Sequence, residues 1–202
     1  NRRLWNLART NPLPLYVPED CRTLKEAVER VEHDPRITTI ILGKGEHVVA
    51  VYKDDYDHDT NTLVVPSAMK IVGRSDVPKE EIVVVGGIYF NKGIQGNCHL
   101  QRLTLQQAKR DGVLGCSSFT MDDVIVKQCD YGGVGAWGAG VDGQLTNVEV
   151  LQCGLSGVGA GDGASLTLIG AKTTVHHNCT IGKSSSYGLQ VCGWSGTGYA
   201  AD

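Results

Sequence analysis

The second half of the chain repeats itself, and this repeat restricts the fold more than any other feature. Residues 121–129 (MDDVIVKQC) align with residues 145–153 (LTNVEVLQC) at an offset of 24, with matching Val, Val, Gln and Cys. A third copy at 103–108 begins 21 residues before Val124, and a fourth at 174–179 begins 26 residues after Val148. A period of roughly 20–30 residues that contains strands and no helix is typical of a solenoid, in which each coil packs on the next.

Equivalent residues of stacked coils should form ladders with steps of about 4.8 Å. One predicted ladder points into the core, and a second lines a turn with amides that hydrogen-bond from coil to coil. The core ladder consists of Ala108, Cys129, Cys153 and Cys179, and the amide ladder consists of Gln107, Gln128, Gln152 and Asn178. The fourth copy leaves two registers open, because the offset of 26 points Thr174 and His176 inward, whereas a shift of one residue points Val175 inward.

The first half of the chain predicts one helix followed by short strands. Thr23 and Glu26 have the spacing of a capping box. Apolar residues at 24, 27, 28 and 31 share one helical face, so an amphipathic helix is expected over 24–32. Short β-branched runs bounded by turn residues follow and indicate strands. They lie at 37–42, 63–65, 69–72, 82–85 and 88–90.

These patterns predict a single all-β domain, a β-helix of about six to seven coils, because the 155 residues from 37 to 191 divide by a period of about 23. Its expected parts are an N-terminal extension at 1–20, a cap helix at 21–34, the coils at 37–192 and a tail at 193–202. No second lid is visible in the sequence after the last coil. An uncovered coil exposes unpaired strand edges, so we expect either that the parent protein continues beyond Asp202 or that the C-terminal coil meets a partner by end-to-end association.

Composition and charge exclude several classes of function. Nineteen basic and 22 acidic side chains give a net charge of −3, which provides no positive field for nucleic acid or a membrane surface. No apolar run approaches the roughly 18 residues of a membrane span, and residues 1–17 lack the apolar stretch of a signal peptide, so a soluble chain is expected.

The seven cysteines are an odd number without a CxxC pair. They predict free thiols in a reducing intracellular compartment, rather than a disulfide framework or a zinc site.

The sequence resembles the right-handed parallel β-helix proteins of the pectin-lyase-like superfamily over residues 17–191. The resemblance is carried by the entry helix segment 21–28 (CRTLKEAV), by the strand and glycine turn at 39–47 (TIILGKGEH) and by the repeats. It implies a right-handed winding. Members of this superfamily include polysaccharide lyases, esterases, hydrolases, epimerases and binding domains without catalysis, so the fold alone does not choose the activity.

Catalysis in such a fold requires acid, base and charge-stabilising side chains on outward positions of neighbouring coils. Asp122 and Asp123 form the best acidic pair, although adjacent residues of a strand face opposite ways. The Gly-His-Gly and Arg-Ile-Lys elements that accompany such a pair in polygalacturonases are absent, and so is the Tyr-Gly-x-Asp-Pro-His element of alginate epimerases. A turn or strand-cap role for the pair is therefore the preferred interpretation, and catalysis is the alternative.

A second group of candidates surrounds His177. The offset of 26 stacks His177 over Leu151 and Lys127 on an outward face, with Glu149 at a neighbouring outward site. A base at His177 could remove a proton next to a uronate carboxylate while Lys127 stabilises the charge. Lys127, Glu149 and His177 are also the predicted ligand-binding residues. A surface or turn role without catalysis is the preferred interpretation of the histidine.

The acidic segment 52–60 begins like a calcium loop, with Asp55, Asp57 and Asp59 at alternate positions. The sixth position from Asp55 is Thr60 instead of Gly, and the twelfth is Pro66 instead of Glu, so the EF-hand pattern fails. A solvated insertion between coils is the preferred interpretation. No metal or other cofactor is therefore expected.

The sequence thus favours a non-catalytic β-helix scaffold that binds an extended ligand, a glycan or a peptide, along one flank. The alternative is a polysaccharide lyase, epimerase or hydrolase acting on acidic glycans, with Asp122, Asp123, Lys127 and His177 as candidate groups. A purely structural module of a longer chain is a third hypothesis. Binding to a panel of uronate and neutral oligosaccharides separates the first two, because turnover of any of them would exclude the first.

Overall fold

The protein is a parallel β-solenoid of about seven turns, seen here in a computed structural model that describes residues 13–182 and 186–192. Most of the predicted N-terminal extension and the whole of the predicted tail at 193–202 lie outside these residues. The described part of the chain contains one α-helix and nineteen strands. None of the helices in the described residues could span a lipid bilayer.

The strands follow one another with few interruptions. In chain order they are β1 (Leu13–Val17), β2 (Ile37–Leu42), β3 (Gly45–Val48), β4 (Tyr52–Lys53), β5 (Asp59–Thr60), β6 (Thr62–Val65), β7 (Lys70–Gly73), β8 (Ile82–Val85), β9 (Gly87–Phe90), β10 (Cys98–Gln106), β11 (Val113–Gly115), β12 (Phe119–Lys127), β13 (Val134–Trp137), β14 (Asp142–Thr146), β15 (Glu149–Leu151), β16 (Val158–Gly161), β17 (Ser165–Ile169), β18 (Thr174–His176) and β19 (Leu189–Cys192).

Parallel pairing arranges all of these strands except β4 and β5 in three stacks, which we call faces 1, 2 and 3. Face 1 contains β1, β2, β7, the first halves of β10 and β12, β14 and β17. Face 2 contains β3, β8, the second halves of β10 and β12, β15 and β18. Face 3 contains β6, β9, β11, β13, β16 and β19. Each complete coil therefore contributes one strand segment to every face.

The corners of the coils are made by residues in the left-handed backbone region. Between faces 2 and 3, Gln107, Gln128 and Gln152 have φ of 56°, 55° and 57°. Between faces 1 and 2, Asp123 has φ of 55° and Asn147 has φ of 52°. A residue with positive φ turns the chain sharply, so the repeated glutamines mark repeated turns. The Gln128 amide also donates to Gln152 Oε1 at 3.3 Å, which is one step of the predicted amide ladder.

Alternate residues of each strand fill the core. The equivalent inward position of six successive face-1 strands carries a buried apolar side chain, and these residues are Leu15, Ile40, Ile71, Leu100, Met121 and Leu145. Full burial of each such side chain stabilises the fold by about 1.5–3 kcal/mol. The Cys129 and Cys153 thiols are also buried, and they follow the paired residues Lys127 and Leu151 of neighbouring coils, so they stack as predicted. Each thiol donates to the carbonyl oxygen two residues before it, at 3.6 Å.

Helix α1 spans Leu24–His33, one residue longer than predicted. Thr23 is its N-cap, and the Thr23 hydroxyl accepts from the Glu26 amide at 3.1 Å. The apolar stripe predicted from the sequence is buried, and the helix contacts β1 and β2. Strand β1 itself lies within the segment expected to be an extension, where it pairs in parallel with β2.

The fourth copy adopts the register shifted by one residue, with Val150 opposite Val175 and Leu151 opposite His176. The predicted ladder positions of Cys179, Asn178 and His177 are therefore wrong. The cause is a longer corner: residues 170–173 connect β17 to β18, whereas only residues 147–148 connect β14 to β15.

The Asn178 side chain instead lies level with Cys153. Its Oδ1 accepts from the Cys153 amide at 2.9 Å, and its Nδ2 donates to the Val150 carbonyl at 3.1 Å. His177 has φ of 53° and occupies the corner position of Gln152. The seven cysteines are all free thiols.

The last described coil, β17 to β19, leaves inward-facing side chains uncovered among the described residues. Leu168 lies opposite the buried Leu145 and is 37 % exposed, while Leu189 and Val191 are 49 % and 59 % exposed. These positions are part of the core in the preceding coils. Among residues 13–182 and 186–192, this end of the solenoid therefore presents an apolar surface with strand edges that have no partner.

Candidate functional site

The outer side of face 1 carries two parallel rows of side chains, which together we call the face-1 strip. The first row is Pro14, Thr39, Lys70, His99, Thr120, Gln144 and Thr167. The second row is Tyr16, Ile41, Val72, Gln101, Asp122, Thr146 and Ile169. Because strands stack at about 4.8 Å, seven strands make a strip about 29 Å long.

Two hydrogen bonds between coils organise the centre of the strip. His99 Nδ1 lies 2.7 Å from Thr120 Oγ1, and Gln101 Nε2 donates to Asp122 Oδ2 at 2.8 Å. All four residues are half-buried, so their side chains border solvent without being free to rotate. A polar group fixed in this way needs little further ordering when a ligand binds.

His99 lies at the centre of the strip, and its surroundings shift its pKa. Burial lowers the pKa of His99 below its ordinary value, and the Lys70 ammonium lowers it further. The Asp122 carboxylate and a hydrogen bond with Gln101 oppose this effect. The imidazole is therefore neutral at neutral pH, and a neutral imidazole can accept a proton.

At its N-terminal end the strip opens into a groove of about 500 Å³. Tyr16, Ile41 and Val72 line the groove and belong to the same row as Gln101 and Asp122. The groove is thus continuous with the polar centre of the strip. An aromatic and aliphatic floor beside polar side chains is the usual composition of a small-molecule site.

The charged residues beside the groove differ in their partners. Arg74 binds Asp76 through two hydrogen bonds of 3.1 Å and Glu19 through one of 3.3 Å, so its charge is compensated. Arg102 donates to the Gly73 carbonyl at 3.1 Å, and its buried Nε has no hydrogen-bond partner. Within residues 13–182 and 186–192, neither Arg102 nor Lys70 forms an ion pair, so both leave positive charge at the strip.

The structure separates the two predicted catalytic carboxylates. Asp122 belongs to the face-1 strip, whereas Asp123 sits at the corner and binds Lys79 Nζ at 2.5 Å. Lys79 lies in a 3-10 turn, Lys79–Glu81, inserted between β7 and β8. Asp123 is held in this ion pair. Of the two carboxylates, Asp122 is therefore the one that lies in a row open to a ligand.

The remaining predicted residues lie on face 2. His176, not His177, is opposite Leu151 and therefore in the row of Lys127. His176 Nε2 contacts Glu149 Oε1 at 3.0 Å, and His176 Nδ1 contacts His177 Nδ1 at 2.7 Å. Glu149 and His177 are thus joined through His176. This group lies on a different face from Asp122, so the sequence-predicted residues do not form one site.

The acidic segment forms an antiparallel hairpin of β4 and β5. Lys53 Nζ lies 3.0 Å from Asp59 and 3.9 Å from Asp57, while Asp54 accepts from the amides of Tyr56 and His58 at 2.9 Å. The described residues contain no group of three or more His, Cys, Asp or Glu side chains placed to hold a metal. Asp57 and Asp59 thus lie beside Lys53, and Asp54 accepts the amides that close the hairpin turn.

His99 and Gln101 were missed by the sequence analysis because the third copy was aligned only from Leu103 onward. Extending the same offset of 21 toward the N-terminus places Gln101 with Asp122 and His99 with Thr120. The outward positions of the aligned repeats therefore predict that these residues are neighbours. The hydrogen bonds between neighbouring side chains are a property of the folded structure alone.

No protein-family model matches this chain, and searches of the curated proteins and of the solved structures found no similar protein.

Proposed function

We propose that the protein binds an extended glycan along the face-1 strip without chemically changing it. The observation that carries the proposal is the pair of hydrogen bonds, His99 with Thr120 and Gln101 with Asp122, one in the middle of each of the two rows that run across the coils. A polymer laid across the strands meets an equivalent side chain at each step of about 4.8 Å. Hydroxyl groups of a sugar can both donate to and accept from such side chains.

The N-terminal groove provides the apolar part of the site. Tyr16 is 37 % exposed there, so its ring is available to a sugar ring, and Ile41 and Val72 continue the apolar floor. Arg102 and Lys70 add charges without a carboxylate partner among the described residues. These charges favour a glycan that carries carboxylate or sulfate groups.

We also infer a right-handed winding, a place in the pectin-lyase-like superfamily and a capping role for helix α1. The regular coil period and the contact of α1 with the first two strands support this inference. The helix buries an apolar stripe at the end of the stack where strand edges would otherwise be open.

Isothermal titration against uronate, sulfated and neutral oligosaccharides, with an extended peptide library as comparison, tests the proposal. We expect an anionic glycan to bind, and Gln101→Ala to weaken this binding about two- to tenfold, since one lost hydrogen bond contributes about 0.5–1.5 kcal/mol. Lys127→Ala on face 2 is the matched control and should bind normally. The proposal fails if no glycan binds, or if Lys127→Ala loses binding while Gln101→Ala retains it.

A second candidate function is catalysis on acidic glycans, as a lyase, epimerase or hydrolase. The observation that favours it is the neutral imidazole of His99 between Lys70 and Asp122, since a base beside a cation can remove a proton next to a uronate carboxylate. Chromatography of uronate oligosaccharides after long incubation decides between the candidates. Product formation that His99→Gln abolishes would establish catalysis.

A further inference from the structure

Face 3 contains a depression of about 260 Å³ that is separate from the face-1 strip. Its outward row reads Val64, Tyr89, Leu114, Gly135, Gly159 and Gln190. The first three positions carry large side chains, whereas the next two carry none. The two glycines therefore form the floor of the depression, and the coil on either side forms its ends.

Trp137 forms one wall of the depression. A Cβ atom on Gly161 would lie 1.9 Å from Trp137 Cζ3, and one on Gly135 would lie 3.1 Å from Trp137 Nε1. The indole ring thus lies close against the backbone of two neighbouring strands, and it occupies space that a side chain would otherwise fill. An aromatic ring held in this way is a rigid surface for stacking.

Three polar side chains form the opposite rim. Asp111 Oδ1 accepts from the Gly132 amide at 2.8 Å. Ser156 Oγ donates to Gln190 Oε1 at 2.5 Å, which occupies the amide oxygen. The Gln190 amide nitrogen has no partner in the part of the chain that the structure describes. The rim therefore offers a carboxylate oxygen as acceptor and an amide nitrogen as donor.

We propose that this depression binds one neutral sugar ring, stacked on Trp137 and hydrogen-bonded to Asp111 and Gln190. A sugar hydroxyl is both donor and acceptor, which matches an acceptor and a donor on the same rim. The Asp111 carboxylate repels an anionic ligand, so a neutral sugar is selected over a uronate. The volume lies just below the roughly 300–1,000 Å³ of sites for drug-sized ligands, which suits a single ring better than a chain.

The geometry provides a substitution that fills the depression. Gly159 has an ordinary backbone conformation, and a Cβ there would meet only the Gln190 carbonyl oxygen, at 3.7 Å. Gly159→Val should therefore fold normally and place its side chain where the sugar ring would lie. Thr167→Val on face 1 introduces the same side chain on an outward strand position and is the matched control.

The test is NMR titration of the full chain with glucose, galactose, mannose and N-acetylglucosamine, and with glucuronate as the anionic comparison. The Trp137 indole N–H signal, identified by its loss in Trp137→Phe, is the readout. We expect at least one neutral sugar to shift this signal to saturation. The shift should disappear in Gly159→Val and persist in Thr167→Val and in Gln101→Ala, which affects only the face-1 strip.

The inference is overturned if no neutral sugar shifts the signal, if only glucuronate does, or if the shift persists in Gly159→Val. If circular dichroism shows that Gly159→Val is unfolded, Gln190→Ala tests the same inference. That variant should bind the sugar about two- to tenfold more weakly, because it removes the donor on the rim. Unchanged affinity in Gln190→Ala would equally overturn the inference.

Discussion

Two glycines that differ only in their surroundings test the stacking of the coils. A Cβ on Gly133 would lie 2.2 Å from Val150 Cγ1 and 2.5 Å from the Gly157 carbonyl oxygen, both in the next coil. A Cβ on Gly159 would meet nothing closer than 3.7 Å. Neither glycine has a positive φ, so alanine is compatible with both backbone conformations. Any difference between the two alanine variants is therefore steric.

The expected effects have opposite signs. Gly159→Ala should raise the free energy of unfolding by about 0.4–1 kcal/mol, because alanine reduces the conformational entropy of the unfolded chain. Gly133→Ala should lower it by about 1–3 kcal/mol, the usual cost of overpacking. The backbone oxygen of Gly157 cannot move aside without shifting its strand, which places the cost toward the upper end of that range.

Urea denaturation followed by circular dichroism measures the difference. At equal m-values the midpoint should fall for Gly133→Ala and rise slightly for Gly159→Ala, relative to the unmodified chain. Equal midpoints for the two variants would mean that Gly133 does not pack against the next coil. The register of face 3, and every site described on it, would then be incorrect.

Three further predictions concern the core, the strip and the open end. Leu145→Ala should lower the free energy of unfolding by about 2–5 kcal/mol, measured by the same denaturation, because it leaves a cavity in a fully buried ladder. Burial lowers the pKa of His99 in the folded state below its ordinary value of 6.5, so just below that pH the unfolded chain binds more protons than the folded chain. The free energy of unfolding should therefore fall as the pH drops through this window, and His99→Gln should reduce the fall. Association through the exposed last coil should appear as concentration-dependent sedimentation, and Leu189→Lys should abolish it, whereas Lys172→Glu outside the strands should not.

The coil architecture could be predicted from the sequence because a parallel ladder requires equivalent residues at nearly constant offsets. The offset of 24 between Val126 and Val150 is found as a strand pairing in the structure. Strand β1 was not predicted, because Pro14 interrupts a segment of only five residues. The fourth copy was ambiguous because its corner has a different length, and corner length changes register without leaving an apolar signature.

The candidate site was less predictable than the fold. Sequence alone identified Asp122 and Asp123 as a pair, but the partner that distinguishes them, Lys79, is 44 residues from Asp123 and comes from an inserted turn. His99 and Gln101 do not belong to any short motif. Their relation to Thr120 and Asp122 depends on the stacking of two coils, which becomes visible once the offset of 21 is applied to whole strands.

The equal spacing of the coils has a consequence for what such a protein can recognise. Because each additional repeat of about two dozen residues adds one strand to every face, the recognition surface grows in fixed increments of about 4.8 Å. Gain or loss of one repeat would change the length of ligand that the surface accommodates, while the chemistry of each remaining position stays the same. Ligand length and ligand chemistry can therefore vary independently in a protein built on this plan.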